Sequence, residues 1–439
     1  MRHRILIAGL AAVLLAAVGG VLGLHLGGSP KTRTAETSGT SSATVLAHAD
    51  PLAASIARAQ KQLRAVPGDY TTWASLGSEY IEQGRVSADP TYYPKAEGAL
   101  RRSLALLPTG NEPALVGLGA LANARHDFAG ARDLAQRVLR ADPYSADAYG
   151  VLADAQTQLG YPSEATDAIQ RMLDLRPGLA AYSRASYDLE LQGRLADAAA
   201  LMRRALGDAV DPADIAFCRY QLGQLAWRSG QLANAAAEYA AGRAADPAYI
   251  PLLEGQAQVA AARGHTAAAL ASYAELTARY PSPPYLLEYA NLLRATGHAA
   301  RADQQLSIAT AALRLFTANG GTDDLSAAQV ALAQGDPQQA LLAARREWSR
   351  RHFADVADAL GWALHQSGDN SQAITYAREA DALGARNSAF LYHLGMIELS
   401  RGLSSDARRD LSAALSLNPH FSPLDAPLAT AALHGLGQR

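Results

Sequence analysis

The 439-residue chain has a single cysteine, Cys218, so no internal disulfide can form and stability must come from packing alone. One thiol also excludes thiolate clusters, and none of the eleven histidines forms the His-x-x-x-His pair that would set two imidazoles on one helical face. An excess of either charge is missing too: 39 Lys and Arg face 41 Asp and Glu, giving a net charge of −2. That balance offers no basic stripe, so nucleic acid is not an expected partner. No Gly-x-Ser-x-Gly elbow, phosphate-cradling Gly-x-x-x-x-Gly-Lys loop or dinucleotide Gly-x-Gly-x-x-Gly turn stands between a strand and a helix. No catalytic residue, metal or cofactor is therefore assigned. Cys218 reads as a small buried hydrophobe rather than a reactive thiol.

What is present begins with "MRHR" followed by "ILIAGLAAVLLAAVGGVLGLHL", an uncharged run of about 22 residues, long enough to span a bilayer as a helix. Residues 1–27 read as a signal anchor or transmembrane helix. The alternative is a cleaved signal peptide, with cleavage near Ala16 to Gly20, releasing a secreted protein. Arg2 and Arg4 place the start on the cytoplasmic side and the remainder outside, a single-pass, extracytoplasmic arrangement; Lys31 and Arg33 reduce that asymmetry. Residues 28–49, rich in Ser, Thr and Gly, form a flexible linker. The simple signal and the abundant alanine suggest a bacterial protein, and the alanine favours helix throughout.

The body is periodic. Glycine returns at Gly160, Gly193, Gly230, Gly264, Gly297, Gly335, Gly368 and Gly402, and proline keeps the same beat at Pro108, Pro143, Pro177, Pro212, Pro247, Pro281 and Pro419. Two punctuation marks per period of about 34 residues imply two helices per unit. In "YQLGQLAWRSGQLANAAAEYAAGRAADP", a first helix from about Ala216 ends at Gly230, and a second runs to about Ala244 and stops before Asp246-Pro247. Leu222 and Tyr239 fill the space between helices, and Gly223 and Ala235 are small where backbones approach.

This pattern resembles the tetratricopeptide repeat. Trp73, Leu76, Gly77 and Tyr80 match its first half, continued by Ala96, Leu100 and Pro108 once "VSADPTYYPK" is read as carrying an insertion. The third unit matches through Tyr149, Leu152, Ala153, Gly160, Ala165, Ile169 and Pro177. The tenth matches through Leu391, Leu394, Gly395, Gly402, Ala407, Leu411, Ala414 and Pro419. His126 replaces the turn glycine of the second unit, and the seventh and eighth units lack the terminal proline. The resemblance implies an all-α fold: a right-handed α-solenoid of about ten helix-turn-helix units behind the N-terminal helix. A half-repeat or capping helix occupies 50–69, units one to seven 70–318, units eight to ten 319–419, and a capping helix and tail 420–439. The long step from Gly297 to Gly335 marks an extended helix and a loop, with a bend or boundary between the two subarrays.

In the family, set positions of each first helix face a concave groove, which implies a list of partner-binding residues here. They are Tyr187, Glu190, Phe217, Tyr220, Gln224, Trp227, Arg228, Glu254, Gln258, Asn291 and Arg294. Phe217 and Trp227 have a second reading, packing between units. Asp358, Trp362, Tyr392 and Met396 form a secondary groove candidate. The family's lysine and asparagine grip on a terminal carboxylate is not placed, because the matching groove lysines are absent. The basic run "RREWSRRH" from Arg345 to His352 reads either as a helix end decorated with cations or as a patch for an acidic partner or lipid headgroups. His365 and His393 read as solvated or capping histidines.

The function so implied is a non-catalytic, membrane-tethered scaffold that binds a protein or peptide in its groove, for envelope-complex assembly. Two alternatives stay open: an accessory subunit of an envelope enzyme such as a glycosyltransferase, and a spacer or self-associating module.

Overall fold

The computed structural model describes residues 51–382 and 384–437, so the expected anchor over 1–27 and linker over 28–49 lie outside the described residues. Among the described residues there are 22 helices and no strand, and no helix is long and apolar enough to cross a membrane. Ten helix pairs run from Tyr70 to Leu417, with a single helix before them, Pro51–Ala65, and another after them, Asp425–Gly437.

Local chemistry sets the boundaries. Asp69, Asn111, Asp127, Ser145, Asp323, Asp336, Asp369 and Asn387 each accept a backbone N–H of the first turn that they precede. Proline opens other helices. Pro212 starts the first helix of unit five four residues earlier than Ala216, because its fixed φ suits the first turn and its missing N–H would be unpartnered there anyway. The insertion in unit one lengthens its first helix to 18 residues, Tyr70–Ser87. The long step after Gly297 becomes a 20-residue helix, Ala299–Ala318. Packing nevertheless continues through that region without a break, since one apolar cluster runs from Leu253 through Leu306 and Ala328 to Leu436.

Close approach of small residues lets large ones fill the interior. Tyr239 lies between Gly223 and Gly255, and a Cβ on either glycine would fall 2.2 Å or 2.4 Å from its ring. Alanine would force that ring to move.

The array also closes on itself. Tyr280 donates from Oη to the Arg85 carbonyl at 2.8 Å across 195 residues, and Asn418 donates from Nδ2 to the Trp227 carbonyl at 2.9 Å across 191. Thr322 N–H reaches the Arg125 carbonyl at 3.0 Å, and His352 N–H the Leu159 carbonyl at 3.3 Å. Gly193 lies against the Gly384 carbonyl. In each case the turn inside one unit meets the loop following the fifth unit further on. The units therefore coil with a period of between five and six, and the second coil docks on the first along a seam of turns and loops. His126 fits this seam: it takes the left-handed conformation of the missing glycine, φ 62°, while its ring stacks on Phe128 and packs against Phe316.

Candidate functional site

The first helices of units four to seven carry the residues expected to face a groove, and the structure brings most of them into one hydrogen-bonded group. Tyr220 donates to Glu254, and Gln258 donates to Glu254 at 3.0 Å and to Glu288 at 3.5 Å. Gln224 reaches Gln258 at 3.5 Å, and Tyr273 donates to Glu288 at 2.8 Å. Arg228 pairs with Glu190. Arg294 is turned elsewhere, to the Ala333 carbonyl and to Asp303 at 2.8 Å.

An open groove lined by these side chains is not what the structure contains. Tyr187, Tyr220, Gln224, Glu254 and Asn291 are buried, and Glu190, Phe217, Trp227, Arg228, Gln258 and Arg294 are at most partly exposed. Neighbouring units bury Tyr220, which packs with Ala235, Tyr239 and Leu252, and the second coil reaches the inner residues of unit four. Leu191 packs with Leu325, Phe353 and Val356 of units eight and nine, and Tyr187 lies in the field of Asp355 and Arg351. Phe217 packs against Cys218, Leu222 and the preceding unit, which is the interunit packing reading.

The secondary candidates are buried likewise. Trp362 and Tyr392 have no exposed surface and Asp358 almost none, while Met396 is partly buried. Asp358 bonds His393 Nδ1 at 2.9 Å, and Trp362 is flanked by the rings of His365 and His393. His393 is thus a core residue rather than a solvated one. In the basic run, Arg346 and Arg350 both bind Asp324, and Arg351 turns inward to Glu347 and Gln158. Those pairings fit a decorated helix end. Cys218 is fully buried, and its thiol is pushed up to about 12 by burial. Among the described residues no group of three or more His, Cys, Asp or Glu side chains converges as a metal site would need.

A cavity of about 320 Å³ lies between units five to seven and the loop after unit ten. Trp227, Gln258 and Asn291 line it on one side, with Tyr273, Glu288 and Thr296; His420, Phe421 and Ser422 line the other. Burial pushes Glu288 up to about 7, opposed by hydrogen bonds from Tyr273 and Gln258 and by the charge of Arg228. Burial, and then the adjacent Glu288, hold Glu254 well above the usual carboxylate range. Two carboxylates thus share a low-dielectric site in which ionising both is costly.

Sequence reasoning missed Glu288, Tyr273 and the loop residues. Glu288 lies one turn before Asn291 on the same helix, so its neighbourhood was legible. Tyr273 lies on a second helix at a position the repeat uses for packing, and His420 and Phe421 reach the site only through closure of the coil. No local signal marks those two.

No family model matches the chain, and neither does any curated protein. Solved structures similar to it include PilW, a widely conserved type IV pilus biogenesis factor, 20% identical over 46% of this chain and 94% of that one, TM-score 0.39. A tetratricopeptide repeat protein from Parabacteroides merdae is 18% identical over 60% and 99%, TM-score 0.36. Yeast Tom70 is 14% identical over 81% and 86%, TM-score 0.41. At this level of likeness the assignment rests on the chain's own ten units.

Proposed function

We propose, because the chain belongs to the tetratricopeptide-repeat family, that it is a non-catalytic scaffold which receives a segment of a partner protein in the cavity beside its last loop. The observation that carries this reading is the convergence of Trp227, Gln258 and Asn291, from three successive units, on that cavity. Partly apolar concavities with a few fixed polar groups are where ligands bind, and an aromatic anchor next to amides suits an extended segment. On this reading the segment 1–27 is a signal anchor that tethers the array outside the membrane, supported by the basic start and the long uncharged run. Right-handed coiling, as the family winds, belongs to the same proposal.

The test is photo-crosslinking in cells from a reactive residue at Ala262, on the cavity wall, with Leu342, 52% exposed and away from the cavity, as the control position. A discrete protein captured from Ala262 alone supports a receptor. Equal capture at both positions, or capture only of the chain itself, would favour the spacer or self-associating module.

A further inference from the structure

We infer that the cavity takes an alkylammonium group, a lysine side chain of the partner segment or a free amine, held between Glu288 and the rings of Trp227, Tyr273 and Phe421. The inference rests on the receptor reading above and adds its chemistry.

The charge pattern comes first. Glu288 is the only acid among the described lining residues, and no lysine or arginine is among them; His420, on the exposed loop, is the only side chain there that could carry positive charge. Behind Glu288 lies Glu254, with no exposed surface, linked to it through Gln258. Among the described residues neither carboxylate has an ion-pair partner. Arg228 acts on both through its field, but its guanidinium is taken by Glu190. A buried acid pair without a cation is costly when ionised, and a ligand that supplies the cation removes that cost.

The walls select the rest of the ligand. Ala261, Leu292 and Ala295 offer apolar surface to an alkyl stem. The three aromatic rings favour a cation through their negative faces. Thr296 and Asn291 supply oxygens that can accept from an ammonium, which has three donors and no acceptor. A carboxylate or phosphate ligand would instead meet Glu288 with a like charge.

Titration calorimetry on the purified full chain at pH 7 tests this with three probes: Nα-acetyl-lysine methylamide, cadaverine, and Nα-acetyl-norleucine methylamide as an uncharged control. Facing Glu288 are Glu254, Arg228, Tyr239 and Tyr273, with His420 across the cavity. An ammonium drives Glu288 to its ionised form, so binding should release protons, read as a heat that differs between buffers of unlike ionisation enthalpy. The inference expects at least one amine to bind about tenfold or more tightly than the norleucine probe, with proton release, and Glu288→Gln to weaken it about tenfold. A stronger lysine probe identifies a side chain as the source; a stronger cadaverine identifies a free amine. The proton-release measurement needs only the native chain, so a poorly folded variant does not blunt the test. Equal binding of norleucine, or no heat from either amine, would overturn the inference; amine binding without proton release would mean that Glu288 is already ionised, and the weakening by Glu288→Gln then decides. If capture at Ala262 survived such a result, the receptor would stand and only its amine chemistry would fall.

Discussion

Asn418 donates from its side-chain amide to the backbone carbonyl of Trp227 at 2.9 Å, although 191 residues separate the two. The loop that Asn418 opens forms the far wall of the cavity to which Trp227 contributes the near one. Closure of the coil and construction of the site are thus one event.

Asn418 also accepts the N–H of His420 at 2.9 Å, and it is only 2% exposed. Asn418→Ala should therefore cost about 1–2 kcal/mol from the two lost bonds, the Trp227 carbonyl keeping only the N–H of Gly230. A urea midpoint measured by tryptophan fluorescence checks the size of the loss. An unchanged midpoint would mean the bond is not made in solution.

Gly160 and Gly264 share a left-handed conformation, φ 83° and 74°, but differ in what surrounds them. A Cβ at Gly160 would fall 2.3 Å from the carbonyl oxygen of His352 in the second coil, whereas at Gly264 it would meet nothing. Both alanine substitutions carry the left-handed cost of about 1 kcal/mol. Gly160→Ala should lose a further 1–3 kcal/mol or so from the clash. Equal losses in thermal denaturation would argue that the coils are apart.

Arg351 crosses the seam to Gln158 while pairing with Glu347, which is 2% exposed. Arg351→Met leaves that carboxylate largely dependent on Arg350, and the predicted loss is about 3 kcal/mol. Adding Glu347→Gln should recover part of it, because the uncompensated charge is then gone. A double-mutant cycle in urea provides the measurement, and simple additivity would contradict the pairing.

Asp425 opens the capping helix and is 1% exposed; burial pushes it up to about 7, opposed by His393 and by the hydrogen bond from Ser422. The folded state therefore holds this proton at pH values where the unfolded chain has released it. The stability it contributes is full below about pH 4 and declines as pH rises toward 7. Asp425→Asn retains an acceptor for Ser422 and cannot ionise, so it should match the native chain near pH 4 and exceed it by a few kcal/mol at most near pH 8. Melting temperatures across that range test the sign; a native chain that loses stability only on the acid side would refute it.

Much of the architecture was legible because it is local. The glycines that recur at about 34 residues all take positive φ, and the helices break where proline or a capping side chain stands. Even the departures were readable as positions: the insertion near Val86 lengthens a helix, and His126 supplies the turn without a glycine. The docking of the second coil on the first was not. It follows from small rotations accumulated over five units, and no single residue records that sum. The same gap left the loop wall at His420 and Phe421 out of reach.

The second coil closes on the first, and the backbone amides of Thr322 and His352 report on that closure most directly. Both lie in loops between units, and each donates to a carbonyl of the first coil, on Arg125 and Leu159. Amide hydrogen exchange resolved at these two residues should show protection comparable to the helix interiors, lost at His352 in Gly160→Ala. Exchange at the rate of an open loop in the native chain would mean that the coil is open and the cavity incomplete.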